Sequence, residues 1–253
     1  MRIIGVAFIL AATPVEAGPW VQEAGRSQVI IKHEDIEASE SFDDWGDRVA
    51  LPGRRIDRSL GVFAEYGLTD QVTLQIKGDW QDGEDPAFSY EGRGPVEVGA
   101  TVQVWRNAQT AISVYGGYAD GGEGRNAGYA APGVGKSDWE VRTSLGHSFA
   151  GTGRWSPDRS FVDIQVARRM RDGLPDETRA DFTLGAHFGD KWLMLGQAFG
   201  GIANGDNARW LLLETSIVRH LGAWSLQGGW RQSVAGRNTP VANGPVVALW
   251  RRF

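Results

Sequence analysis

Four histidines, His33, His147, His187 and His220, are the side chains in this sequence best suited to moving protons near neutral pH. His147 is followed directly by Ser148, but neighbouring residues of an extended strand point to opposite faces, so the two cannot easily share a proton. His187 has no nucleophile close in sequence, and His220 falls at an expected turn. No catalytic residue is therefore expected. The acidic pairs Asp43-Asp44 and Asp176-Glu177 offer the oxygen ligands that Ca²⁺ takes, though solvated loop charge is the simpler reading. The glycine-rich stretch from Asp120 to Gly128 lacks the lysine and the strand-to-helix setting of a phosphate loop. It reads as an exposed loop that could fold into a mouth. Cysteine is absent, which removes disulfides and thiolate metal sites. No metal and no cofactor is implied.

What remains is charge arranged in alternation. From Gln71 to Trp80, Val72, Leu74, Ile76 and Trp80 share one face, while Gln71, Thr73, Gln75, Lys77 and Asp79 share the other. From Asp176 to Phe188, Ala180, Phe182, Leu184, Ala186 and Phe188 oppose Glu177, Arg179, Asp181, Thr183 and His187. The stretch from Asp138 to Leu145 repeats the pattern. Extending this phase along the chain puts Lys77, Arg142, Arg169, Arg179 and Arg231 on the polar face. Glu65, Asp79, Glu97, Glu140, Asp163, Glu177, Asp181 and Glu214 join them there. A face this charged must be wet or densely ion-paired.

Period-2 runs dominate, and helical periodicity is scarce. They give about twelve strands, an even number that suits an antiparallel, up-and-down transmembrane β-barrel, all-β in class. The expected spans are 27–39, 57–68, 71–82, 95–106, 109–119, 137–149, 159–170, 176–188, 191–203, 208–220, 224–235 and 244–253. The phase is ambiguous in the first and in 191–203. Tight connections at Leu68–Gln71, Arg106–Asn107-Ala108–Gln109, Phe188–Lys191 and Leu221–Trp224 carry the Gly, Asn or Asp that hairpins use. They alternate with longer ones at Glu40–Ile56, Gly83–Gly94, Asp120–Lys136 and Ala235–Asn243; Gly151–Asp158 is longer than the other tight turns. In outer-membrane barrels the short turns are periplasmic and the long loops extracellular.

Aromatic residues on the apolar face collect at strand ends. Trp80, Tyr118 and Trp139 mark the outer ends; Tyr66, Phe149, Phe188, Trp224 and Phe253 mark the periplasmic ends. Such girdles flank the lipid-facing band of a barrel. Phe253, with Leu249 and Val247 on its face, suits a last strand that must pair with the first, because lipid cannot satisfy an open edge. Residues 1–17 read as a secretory signal peptide: Arg2, the apolar run Ile3 to Ala12, then Val15 and Ala17 before the expected cut. The barrel domain is then 18–253. The net charge of -5 and the lack of a basic run argue against nucleic acid. A mean hydropathy of -0.30 does not count against a barrel, since the two faces average out. An aromatic-rich soluble sandwich or lipocalin-like barrel is the competing architecture.

The stretch Glu65 to Leu74 resembles a recurring hairpin in outer-membrane barrels of the phenol-degradation (MetA-pathway) family. Gly94 to Ala100 is similar to the glycine-rich strand that follows it there, with Glu97 in the acidic place and the first Gly-x-Gly broken. The likeness spans some forty residues, by rough count, of a fold expected to be continuous. It implies carriage of small molecules across the outer membrane.

The expected function is an outer-membrane channel or transporter for small neutral or cationic solutes, because acids outnumber bases on the inner face. The alternative is a structural, adhesive or exopolysaccharide-secretion accessory barrel whose lumen is closed by ion pairs. Expected partners are outer-membrane lipid, the barrel assembly machinery and a small-molecule or glycan solute.

Overall fold

The computed structural model describes residues 19–151, 156–205 and 208–253. The expected signal peptide lies outside the described residues. The described chain forms thirteen strand segments: β1 Ser27–Phe42, β2 Arg48–Thr69, β3 Val72–Glu84, β4 Ser89–Arg93, β5 Val96–Arg106, β6 Thr110–Asp120, β7 Ser137–Ala150, β8 Arg159–Asp172, β9 Glu177–Phe188, β10 Trp192–Ala203, β11 Arg209–Leu221, β12 Trp224–Arg237 and β13 Thr239–Arg252. Every pairing is antiparallel.

The ring has twelve positions, because β4 and β5 share one of them. β5 pairs the first half of β3 from Val72 to Lys77, and β4 pairs its second half from Trp80 to Glu84. The break between them falls at Gly94-Pro95, where proline has no N–H for the ladder. Closure comes from β1 against β13, with Gln28 facing Arg252 and Glu34 facing Val246. At the seam Phe253 N–H donates to Ser27 O at 2.9 Å. The twelve positions thus close into a ring, which is what lipid requires of a spanning sheet.

Alternation makes the barrel two-faced. On β7, Asp138, Glu140, Ser144 and Gly146 are buried, whereas Trp139, Val141, Leu145 and Phe149 are exposed. On β13, Val246 and Ala248 are buried and Val247 is exposed. The exposed large side chains are thus the outward ones, an inversion of a soluble protein that makes sense in hydrocarbon.

The four tight turns expected from the sequence fall at one end, with Gly189 (φ 59°) and Gly222 (φ 67°) in the left-handed region those hairpins need. The other end departs from expectation. Glu40–Ile56 is mostly strand: β1 runs on to Phe42 and β2 begins at Arg48. Gly83–Gly94 contains β4. Ala235–Asn243 is no long loop: β12 reaches Arg237 and β13 starts at Thr239, hinged on Asn238 at φ 51°. Asn can adopt this conformation at low cost. Strands at this end stand beyond the level where Trp80 faces Leu60, where water can serve their unpaired groups. Asp120–Lys136 does remain a loop, and it folds inward.

Candidate functional site

The lumen is the candidate site. All twelve side chains expected to line it, Glu65, Lys77, Asp79, Glu97, Glu140, Arg142, Asp163, Arg169, Arg179, Asp181, Glu214 and Arg231, lie on the inner face, buried or partly buried. Glu177 is with them, fully buried. The eight aromatic residues Tyr66, Trp80, Tyr118, Trp139, Phe149, Phe188, Trp224 and Phe253 are exposed on the outer face. Tyr118 and Trp139 pack at 5.0 Å between centroids, and the Arg251 guanidinium lies 4.7 Å from the Trp224 ring and 5.1 Å from that of Phe253.

The inner charges form two networks. The first runs over β3 and β5 to β9, centred on Arg169. Its Nη2 donates to Glu97 Oε2 at 2.6 Å, its Nε to Glu140 Oε2 at 2.8 Å and its Nη1 to Asp138 Oδ2 at 3.2 Å. Lys77 Nζ reaches Glu97 at 3.0 Å, and Tyr115 Oη donates to the same carboxylate at 2.7 Å. Arg142 pairs with Glu140, while Arg171 and Arg179 pair with Glu177. The second network, on β1, β11 and β12, joins Lys32 and Arg231 to Glu34 and Glu214. Arg231 Nη2 lies 2.6 Å from Glu214 Oε2. Between the networks lies a cavity of about 760 Å³ that touches both. It shares its upper lining with a second cavity of about 450 Å³ at the long-loop end.

Four inner carboxylates, Glu65, Asp79, Asp163 and Asp181, have no cation within ion-pair distance among the described residues. Glu65 accepts from Gln22 and Gln75, Asp79 from Gln81, and Asp163 from Gln165, all amides. Three of the four carboxylates, Asp79, Asp163 and Asp181, line the cavity of about 760 Å³.

Both mouths are narrowed. At the long-loop end, the loop after β6 enters the barrel. Arg125, 7% exposed at its side chain, reaches Asp57 at 3.1 Å and Asp85 at 3.3 Å and lies over the Phe88 and Tyr90 rings. Tyr129 Oη donates to Glu177 at 2.6 Å. At the short-turn end, Pro19 to Gln22 lies inside the ring. Gln103 Nε2 donates to Pro19 O at 3.1 Å, and Gln22 N–H donates to Thr73 Oγ1 at 2.8 Å. Gly146 makes room: a Cβ there would sit 2.3 Å from the Trp20 ring. Beside it, Phe161, Leu193, Leu195 and Val218 form an apolar cluster against which Trp20 and Trp250 pack.

Sequence reasoning missed Lys32, Glu34, Asp138, Arg171 and Arg125, and it missed the apolar floor. Of the four histidines, only His187 and His220 meet. His147 lies against Phe149 at 4.7 Å and bonds Thr110 Oγ1, on the outer face. His33 contacts Ser59 O. His220, expected at a turn, is still in β11, stacked 6.3 Å from His187 on the inner face and 2.9 Å from Ser225 Oγ. Ser225 is fully buried, so no substrate can meet it as a nucleophile.

No protein-family model matches the sequence, and no curated protein matches it. Solved structures share the fold. An outer membrane channel from Pseudomonas putida F1 is 12% identical over 95% of this chain and 100% of that chain, with a TM-score of 0.70. The KdgM porin, in complex with disordered oligogalacturonate, is 10% identical over 89% and 99%, at 0.56. The NanC porin is 7% identical over 87% and 98%, at 0.55. At these identities the likeness is one of fold: the closed outer-membrane β-barrel.

Proposed function

We propose that this chain is an outer-membrane channel for small neutral or cationic solutes. The carrying observation is the cavity of about 760 Å³ whose walls hold Asp79, Asp163 and Asp181 without a cationic partner among the described residues. Carboxylates on the lumen wall that no cation pairs lower the local electrostatic barrier for cations. The fold agrees with this reading, since its structural relatives carry the names channel and porin. The apolar outer face supports placement in the outer membrane. The resemblance of the stretch from Glu65 to Leu74 to the phenol-degradation family agrees with this reading, since it implies carriage of small molecules.

A second reading is a closed barrel with a structural or accessory role. It draws on the Trp20 segment at one end, the Arg125 loop at the other and the charge networks between. Planar bilayers separate the two. Discrete conductance, with a reversal potential in a KCl gradient that shows K⁺ preference, supports the channel. A membrane sealed by correctly folded protein rejects it.

A further inference from the structure

The Asp163 side chain is only 3% exposed, yet it is half-served. Its Oδ2 accepts from Gln165 Nε2 at 2.6 Å, while Oδ1 is buried with no hydrogen-bond partner. A buried carboxylate oxygen without a donor is costly, and this one belongs to a residue that lines the cavity of about 760 Å³, so a ligand's donor would relieve it. Asp181, on the neighbouring strand, has neither hydrogen bond nor ion pair among the described residues. The register brings the two together: Asp163 faces Thr183 and Asp181 faces Gln165, so the carboxylates are diagonal neighbours on one face. Diagonal side chains of a sheet stand about 7 Å apart, a span that one small cationic head can bridge.

The nearby protein cations lie within coulombic reach of Asp181 but make their hydrogen bonds to other groups. Arg142 is committed to Glu140 and to Gln165 Oε1, and Arg179 to Glu177. The other side of the site is apolar. Phe161, two residues before Asp163, lies over Gly185, where any Cβ would strike its ring. Leu193 and Leu195 continue this floor, and all three line the same cavity as the two carboxylates.

We infer that the lumen holds a binding site for a small organic ammonium ion, its charged head between Asp163 and Asp181 and its apolar body on Phe161, Leu193 and Leu195. This deepens the channel reading and rests on it for its physiological meaning. The primary ammonium group carries three N–H donors, matching the two carboxylates and the Thr183 hydroxyl between them. An anion meets two negative groups here. A bare metal ion lacks ligands, since no group of three acidic or histidine side chains is placed to hold one among the described residues. A cation without an apolar part leaves the floor unused.

Isothermal titration calorimetry on the folded full chain in nonionic detergent tests this, with 2-phenylethylammonium as probe. Saturable binding is expected, with 2-phenylethanol and methylammonium each binding about tenfold more weakly or worse. Asp163→Asn and Asp181→Asn should each weaken the amine by about tenfold, and Asp190→Asn, in an exposed turn, should not. Asp181 is only partly buried, so its variant keeps the test alive if Asp163→Asn fails to fold. Equal binding of the alcohol, or unchanged affinity in Asp181→Asn, overturns the site. Bilayer conductance reads the channel separately. A conducting barrel that ignores the amine overturns the site alone. A sealed barrel that binds it retains the site and overturns the channel.

Discussion

Trp20 meets Phe161 edge-on inside the short-turn end of the barrel, with ring centroids 6.1 Å apart and planes at 82°. This is an attractive aromatic geometry, and it fixes the segment before β1 across the lumen. Trp20→Ala should therefore raise single-channel conductance. Gly146→Val should do the same by another route, because its side chain takes the space of the Trp20 ring. The first change removes the obstruction, and the second expels it. Unchanged conductance in both variants would place the narrowing elsewhere.

At the opposite mouth, Arg125 ties its loop to Asp57, Asp85 and the Ala130 carbonyl. Arg125→Ala removes these bonds at once and leaves two carboxylates less compensated. Local opening of the loop should become easier by about 1.4 kcal/mol, or about tenfold. Chymotrypsin cleavage after Tyr129 reads this directly, with an accompanying rise in open-channel noise. A cleavage rate equal to that of the wild type would show that the loop is held by its other contacts.

The inner face was legible where one parity of a strand is polar and the other apolar, as around Lys77, Arg179 or Glu214. It was illegible where both parities are apolar. In β1, Val29, Ile30 and Ile31 hide the phase that brings Lys32 and Glu34 inward. In β10, Leu193 and Leu195 point inward because an apolar floor exists, so Trp192 to Leu195 shows no alternation. Gly236, Asn238 and Pro240 read as a loop, yet the hairpin passes through them. Pro240 is tolerated because the β1 ladder is irregular between Ala38 and Ser41, where a lost N–H costs little. The Trp20 and Arg125 segments find their partners only across the closed ring, which no local pattern records.

Arg169 holds three carboxylates, Glu97, Asp138 and Glu140, with its own side chain 5% exposed. Arg169→Met leaves those acids with fewer partners in a poorly hydrated place. Removing one member of a buried ion network typically costs about 3–5 kcal/mol. The variant should unfold at lower urea concentration in lipid vesicles and lose its heat-resistant band in detergent gels at lower temperature. A second change, Glu140→Gln, should restore part of the loss by removing one stranded charge. Additive losses in the double variant would show that the two side chains are not coupled.

The turn between β1 and β2 supplies a pH dependence outside the barrel wall. Asp43 Oδ1 accepts the backbone N–H groups of Trp45 at 2.8 Å and Asp47 at 2.9 Å. The Trp45 N–H, foremost, holds this carboxyl below its ordinary value of 3.8, with the Asp47 and Gly46 N–H groups and Arg237 acting in the same sense. A carboxyl depressed on folding stabilises the turn at pH values above its unfolded value. That contribution fades as pH falls through the lower, folded value. Amide exchange at Trp45 and Asp47, corrected for the intrinsic rate, should stay slow near neutral pH and speed up below about pH 4. Asp43→Asn keeps an accepting oxygen but cannot titrate, so its corrected exchange should be flat across that window. An acid-induced loss of protection that persists in Asp43→Asn would assign the pH dependence to another group, and neighbouring Asp44, which accepts from Asn238 Nδ2 at 2.8 Å, would be the next to replace.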